Sequence, residues 1–225
     1  EMFAEKLAPL SGQTDLVVLP EMFTTGFSMR AEALAEPTEG PTLHWLREQA
    51  AGLGAVVTGS FIATEAGRYY NRLVWMRPDG AHGVYDKRHL FSLAREQDHY
   101  SAGRSRPTFE HKGWKVLPLI CYDLRFPVWS RNTDGYDLLL YVANWPERRS
   151  HAWRSLLTAR AIENQSYTAG VNRVGDDGNG VYHAGDSSLI DYSGRLHYHC
   201  AHREDVFTTR LSRQEQLDFR SKLQF

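Results

Sequence analysis

Cysteine is scarce in this chain: Cys121 and Cys200 are the two present in 225 residues. Two thiols cannot build the multi-bridge framework of a small secreted scaffold, and a reducing compartment is the simpler setting, so a cytoplasmic protein is expected. Long apolar runs are missing as well. None approaches the ~20 residues of a membrane span, and the segment from Glu1 to Ser11 has no basic flank followed by an apolar stretch. Neither sign of charge dominates, with 26 Lys and Arg against 27 Asp and Glu for a net charge of −1. The basic residues are scattered, leaving no field to gather phosphates, which argues against nucleic acid as a partner. No repeat, low-complexity tract or linker-like stretch breaks the chain.

What is there is the composition of an ordinary globular protein: 42% apolar, 12% aromatic and 24% charged residues. A single domain over residues 1–225 is expected, and a chain of this length buries enough surface to hold a core without disulfide or metal. Short β-branched runs alternate with helical patterns. Leu16 to Leu19, closed by Pro20, and Gly54 to Ile62 read as buried strands. Between them Leu43, Leu46, Ala50 and Leu53 fall on one helical face, with Pro41 in the first turn and Gly54 as the stop. Tyr70 to Met76 and His82 to Leu90 flank Pro78-Asp79-Gly80 and predict a hairpin that delivers Lys87 near a strand end.

Trp114 to Ile120 and Tyr136 to Val142 are further apolar runs, with Cys121 and Asn144 at their exits. Ser150 is placed to cap a helix in which Trp153, Leu156, Leu157 and Ala161 share a face. Ser166 to Val174 resumes strand character, and Gly175 to Gly180 reads as a turn. Leu189 to Cys200 and Val206 to Leu211 are late strand candidates, and the tail from Arg213 reads as a weak helix. This pattern predicts an α/β sheet sandwich covered by helices.

Chemistry concentrates at three strand exits, carrying Glu21, Lys87 and Cys121. Cys121 follows a buried strand and precedes an expected helix start, an arrangement that resembles a nucleophile elbow and would favour a thiolate and an oxyanion. A lone strand cysteine is otherwise inert packing, and a strand-end lysine is otherwise a solvated charge. Glu21 stands between Leu-Val-Val-Leu-Pro and Met-Phe, and such an apolar context favours a carboxylate that takes up protons. Arg160 and Glu163, three apart on one helix, read as a structural ion pair. Cys200 carries no motif. The dense His197-Tyr198-His199-Cys200-Ala201-His202 cluster fits no standard zinc spacing, so no metal and no other cofactor is expected.

Taken together, Leu19-Pro20-Glu21 with Gly26, Tyr85-Asp86-Lys87-Arg88-His89-Leu90 and Cys121-Tyr122-Asp123-Leu124-Arg125-Phe126-Pro127 resemble the nitrilase, or carbon–nitrogen hydrolase, superfamily. Its hallmark is a Glu-Lys-Cys set in that chain order, here Glu21, Lys87 and Cys121. Glu96, seven residues before Gly103, matches the family's second glutamate. Tyr141-Val142-Ala143-Asn144-Trp145-Pro146 and Arg160 to Gln165 extend the likeness over about residues 16 to 212. The stretch from Cys121 to Asn132 and the Asn-Trp-Pro segment look most similar to the ω-amidase branch.

The resemblance implies a four-layer α-β-β-α sandwich, a homodimer, and hydrolysis of the ω-amide of 2-oxoglutaramate or a similar 2-oxo acid monoamide. Family members open with a strand and most of a helix before the first glutamate, whereas twenty residues precede Glu21 here; the core sheet is therefore expected without its N-terminal strand. By resemblance, Glu21 is the base, Cys121 the nucleophile, Lys87 with the Tyr122 backbone N–H the oxyanion holder, and Glu96 the group that orients Lys87. Arg125 is a candidate for the substrate carboxylate or a brace for nearby acids. Phe27, Asn144 and Trp145 are candidates for the pocket wall or for packing. Nitrile or N-carbamoyl hydrolysis by the same set, a papain-like thiol hydrolase and a silent scaffold member stand as alternatives.

Overall fold

The computed structural model describes residues 2–223, which group into two compact units, Glu1–Ser105 and Arg106–Phe225. In the first, helix α1 (Met2–Leu7) leads into strand β1 (Leu16–Val18), followed by α2 (Ala31–Leu34), β2 (Glu36–Pro37), α3 (Pro41–Leu53), β3 (Val56–Glu65), β4 (Arg68–Met76) and β5 (His82–Asp86). The sheet runs β1-β3-β4-β5, with β2 also pairing β3. β1 and β2 lie parallel to β3, and β3, β4 and β5 form antiparallel pairs.

The period of two along β3 and β4 sorts this unit into faces. Val57, Phe61 and Ala63 of β3 and Val74 and Met76 of β4 pack with Leu43, Leu46, Ala50 and Leu53 of α3. Pro41 starts that helix and Gly54, at φ 66°, ends it in the left-handed conformation that glycine adopts without a Cβ clash. The opposite face carries Thr58, Ser60 and Asn71, all buried, beside Ile62, Met22 and Tyr100. A buried polar row on a sheet face is a departure from core packing that calls for a role.

The second unit contains β6 (Phe109–His111), β7 (Trp114–Ile120), α4 (Pro127–Ser130), β8 (Leu138–Ala143), α5 (Ser150–Asn164), β9 (Tyr167–Asn172), β10 (Val174–Asp176), β11 (Tyr182–Ile190), β12 (Leu196–Ala201) and α6 (Arg213–Lys222). Its sheet runs β10-β11-β9-β8-β7-β6, with β12 on β11. β7, β8 and β9 are parallel, and β8 is buried along its whole length, the continuous apolar run of a strand covered on both faces. Trp153, Leu157 and Ala161 form the buried stripe of α5, and Leu156 is only half-buried. The polar α6 is held by hydrogen bonds: Ser212 caps it by accepting from the Glu215 N–H, and buried Gln216 donates to the Asp137 carbonyl at 2.8 Å.

Several sequence expectations are corrected. Val206 to Leu211 forms no strand; Val206 and Phe207 are exposed, and the Phe207 ring stacks on Tyr198 at 3.9 Å instead of joining the sheet. β5 stops at Asp86 rather than Leu90, because Lys87 turns out of the sheet to accept a hydrogen bond from the Gly103 N–H. Gly175 belongs to β10, and the turn narrows to residues 177–180. Ser150 is the first helical residue, with Arg149 at the cap position. No helix among the described residues is long and apolar enough to cross a membrane.

Candidate active site

The first unit brings together Glu21, Lys87 and Glu96. After β1 the backbone stays tied to β3: Leu19 N–H donates to the Thr58 carbonyl, Met22 N–H to Ser60 Oγ and Phe23 N–H to the Ser60 carbonyl. Those bonds carry Glu21 over the polar face. Lys87 leaves β5 with its N–H on the Asn71 carbonyl, and Glu96 opens a 3₁₀ turn, Glu96–Asp98. Lys87 Nζ donates to Glu21 Oε1 at 2.9 Å and to Glu96 Oε1 and Oε2 at 3.1 and 3.0 Å. All three side chains have 1% exposure or less. Phe27 covers the cluster, its ring centroid 5.3 Å from Nζ, a distance at which the ring face favours a cation.

The cluster has further partners that sequence reasoning missed. Asn71 Nδ2 donates to Glu21 Oε1 at 2.8 Å, and the Phe91 N–H donates to Glu96 Oε2 at 2.6 Å. A polar residue amid the apolar positions of β4 was the available signal for Asn71. Burial pushes the Glu96 carboxyl above the ordinary carboxylate range; Lys87 acts in the opposite direction, and Glu21 reinforces the rise.

The second unit holds the other candidates. Cys121 is buried and follows β7 directly, at φ 45°. A non-glycine residue in the left-handed region is uncommon and marks a turn held by its surroundings. Here Asp123 Oδ2 accepts from the Ile120 N–H at 3.1 Å, and Arg160 of α5 donates to the Leu124 carbonyl at 2.7 Å. Arg160 also pairs with Glu163 at 3.0 Å, the ion pair read from spacing, with a second task that spacing could not reveal. The expected helix after Cys121 is a five-residue 3₁₀ turn, Cys121–Arg125, followed by the one-turn α4. A substantial helix dipole therefore does not act on the thiol; the elbow is a matter of backbone conformation.

Tyr122 is half-buried with its ring edge-on to Phe126. Arg125 is exposed, its guanidinium carbon 5.1 Å from the Trp145 ring centroid, with no acid paired to it among the described residues. Asn144 is buried at the end of β8. Trp145 is packed tightly, its backbone N–H on Asn172 Oδ1 at 2.7 Å and its indole N–H on the Arg149 carbonyl at 2.9 Å. Arg149, not foreseen, sits in the electrostatic range of Cys121, Arg125 and Tyr122; burial and Arg148 push its guanidinium below its ordinary range while Cys121 draws it up. His197 and His199 of the histidine-rich segment are bound to Asp191 and Asp186, each at 2.7 Å. No group of three or more potential metal ligands occurs among the described residues.

The family model described as carbon-nitrogen hydrolase matches residues 2–217. The ω-amidase YafV of Escherichia coli strain K12 is 51% identical over 195 residues, covering 86% of this chain and 75% of that protein. The 2-oxoglutaramate amidase of Bacillus subtilis strain 168 is 36% identical over 228 residues, covering 99% of this chain and 86% of that protein. Among solved structures, a CN-hydrolase superfamily protein from Xanthomonas campestris, with an arsenic adduct in its active site, superimposes with a TM-score of 0.96 at 48% identity, covering 98% of this chain and 86% of that one.

The raised Glu96 carboxyl has a stability consequence with a definite sign. A group that holds its proton more tightly folded than unfolded contributes fully at low pH and loses that contribution as pH rises through its folded value. Glu96→Gln keeps the shape and removes the titration. The thermal midpoint of the natural protein, relative to Glu96→Gln, should fall as pH is raised above the ordinary carboxylate range; a difference that stays flat or grows would contradict the assignment.

Proposed function

The chain belongs to the carbon–nitrogen hydrolase family, and from that premise we propose that it is an ω-amidase, hydrolysing the terminal amide of 2-oxoglutaramate or a similar 2-oxo acid monoamide through a thioester on Cys121. The relatives named as ω-amidase and 2-oxoglutaramate amidase support the substrate class. The observation that carries the reading is the Lys87 ammonium held by two buried carboxylates. Such a cluster costs desolvation that a well-packed apolar group would avoid, so its value lies in chemistry.

In this mechanism Cys121 passes its proton to Glu21 as sulfur attacks the amide carbon, and the carbonyl electron pair moves onto oxygen. Lys87 and the Tyr122 backbone N–H hold that oxyanion. On collapse the C–N bond breaks, Glu21 gives its proton to nitrogen, and ammonia leaves a thioester. Water then loses a proton to Glu21 and adds to the thioester; the C–S bond breaks and the thiol is restored. Glu96 keeps Lys87 oriented. Arg125 grips the substrate carboxylate, Arg149 adds positive potential that favours thiolate, and Phe27, Asn144 and Trp145 wall the pocket.

Residues 1–225 act as one catalytic domain, a reading supported by a single family model running across both units. The protein works in the cytoplasm as a homodimer; sedimentation at micromolar concentration should give a dimer, and a monomer would remove that part of the proposal. For the reaction, Cys121→Ala should reduce ammonia release from 2-oxoglutaramate by at least ~10⁴-fold, and Glu21→Gln and Lys87→Met each by at least ~10²-fold, with the circular dichroism spectrum unchanged. Release that survives all three substitutions would overturn the mechanism.

A further inference from the structure

One fully buried polar side chain at the carboxylate cluster has no task in that mechanism. Asn71 lies in β4 opposite Ile62 of β3, on the face away from α3. Its Nδ2 donates to Glu21 Oε1 at 2.8 Å, and the same oxygen accepts from Lys87 Nζ at 2.9 Å. Its backbone carbonyl takes the Lys87 N–H at 3.0 Å. Its own Oδ1 has no hydrogen-bond partner among the described residues, a costly state for a buried acceptor. An asparagine kept at that cost for one N–H on one carboxylate oxygen is there for that oxygen.

We propose that Asn71 is a positioning residue that holds the Glu21 carboxylate through Oε1 and favours its ionised form. The N–H donors from Asn71 and Lys87 that meet on Oε1 hold the carboxylate plane fixed and favour the ionised group that the proposed mechanism needs as its base. The proposal deepens the amidase reading and rests on it. Among the described residues of the first unit, the ionisable groups facing Glu21 are Lys87 after β5 and Glu96 and Tyr100 on the segment that follows.

The test is the pH profile of kcat/KM together with the pH dependence of iodoacetamide alkylation at Cys121, read by peptide mass. Asn71→Ala removes a donor that favours the ionised carboxylate, so the acidic limb of both profiles should move up by about one pH unit. Its kcat should fall roughly 10- to 100-fold, the loss expected for a hydrogen bond to a charged group, with KM little changed. Asn71→Asp, which keeps the shape and is useful where the alanine variant folds poorly, should move the limb further in the same direction. Thr58→Val removes a buried hydrogen bond to the Val74 carbonyl on the same sheet face and should leave both profiles in place. Unmoved limbs in folded Asn71 variants, or an equal shift in Thr58→Val, would overturn the proposal. The two levels separate cleanly: if Glu21→Gln moves the alkylation profile and the Asn71 variants do not, this inference alone fails, whereas if Glu21→Gln does not move it, the role of Glu21 in the amidase reading fails and takes the inference with it.

Discussion

A lysine ammonium shut away from water survives only where anions replace its hydration, and the contact of Lys87 with Glu21 and Glu96 meets that condition at 2.9 to 3.1 Å. Much of the first unit serves it. The Lys87 backbone is fixed on both sides, its N–H on the Asn71 carbonyl and its carbonyl under the Gly103 N–H. Gly103 is required there because a Cβ would lie 2.1 Å from the Asp86 carbonyl oxygen. The β3–β4 pairing places Ser60 to anchor the Glu21 segment and Asn71 to reach its carboxylate. Removing the ammonium would leave two carboxylates facing each other in a dry site, and one of them would have to take a proton.

The second unit is organised around a different constraint, a cysteine at positive φ after the buried end of β7, which runs parallel to β8. Backbone strain of this kind persists only when its neighbours over-determine it. Asp123 ties the turn to Ile120, and Arg160 reaches from α5 to the Leu124 carbonyl. The Asn172 side chain fixes the backbone of Trp145 from β9, accepting its N–H and donating to its carbonyl at 2.7 and 2.9 Å, which in turn sets the ring under Arg125.

The strand exits were legible in the residues because apolar runs with abrupt polar ends are governed by burial, a local and periodic signal. Helix α3, the β4–β5 hairpin and β7 follow from that signal together with Pro41, Gly54 and Gly80. Val206 to Leu211 has strand-forming residues but pairs with no strand among the described residues, and residue composition does not supply a partner. The helix start expected after Cys121 is instead a 3₁₀ turn over Cys121–Arg125, and Pro127 begins a separate one-turn helix. Asn71, Asn172 and Arg149 escaped notice for a shared reason: their partners lie far away in the chain or depend on packing, and no spacing rule encodes a hydrogen bond across 50 residues such as Asn71 to Glu21. The role of Arg160 was half visible, since its i,i+3 partner is local and its Leu124 carbonyl is not.

The ammonium state of Lys87 underlies both the buried cluster and the oxyanion-holding role. With five lysines in the sequence, selective ¹³C and ¹⁵N lysine labelling, with Lys87→Met for assignment, resolves its ε-carbon and ζ-nitrogen. Held between Glu21 and Glu96, Lys87 should keep ammonium chemical shifts from about pH 5 to about pH 9. A Lys87 signal that titrates to the neutral amine within that window would contradict the oxyanion-holding role and the cluster on which it depends.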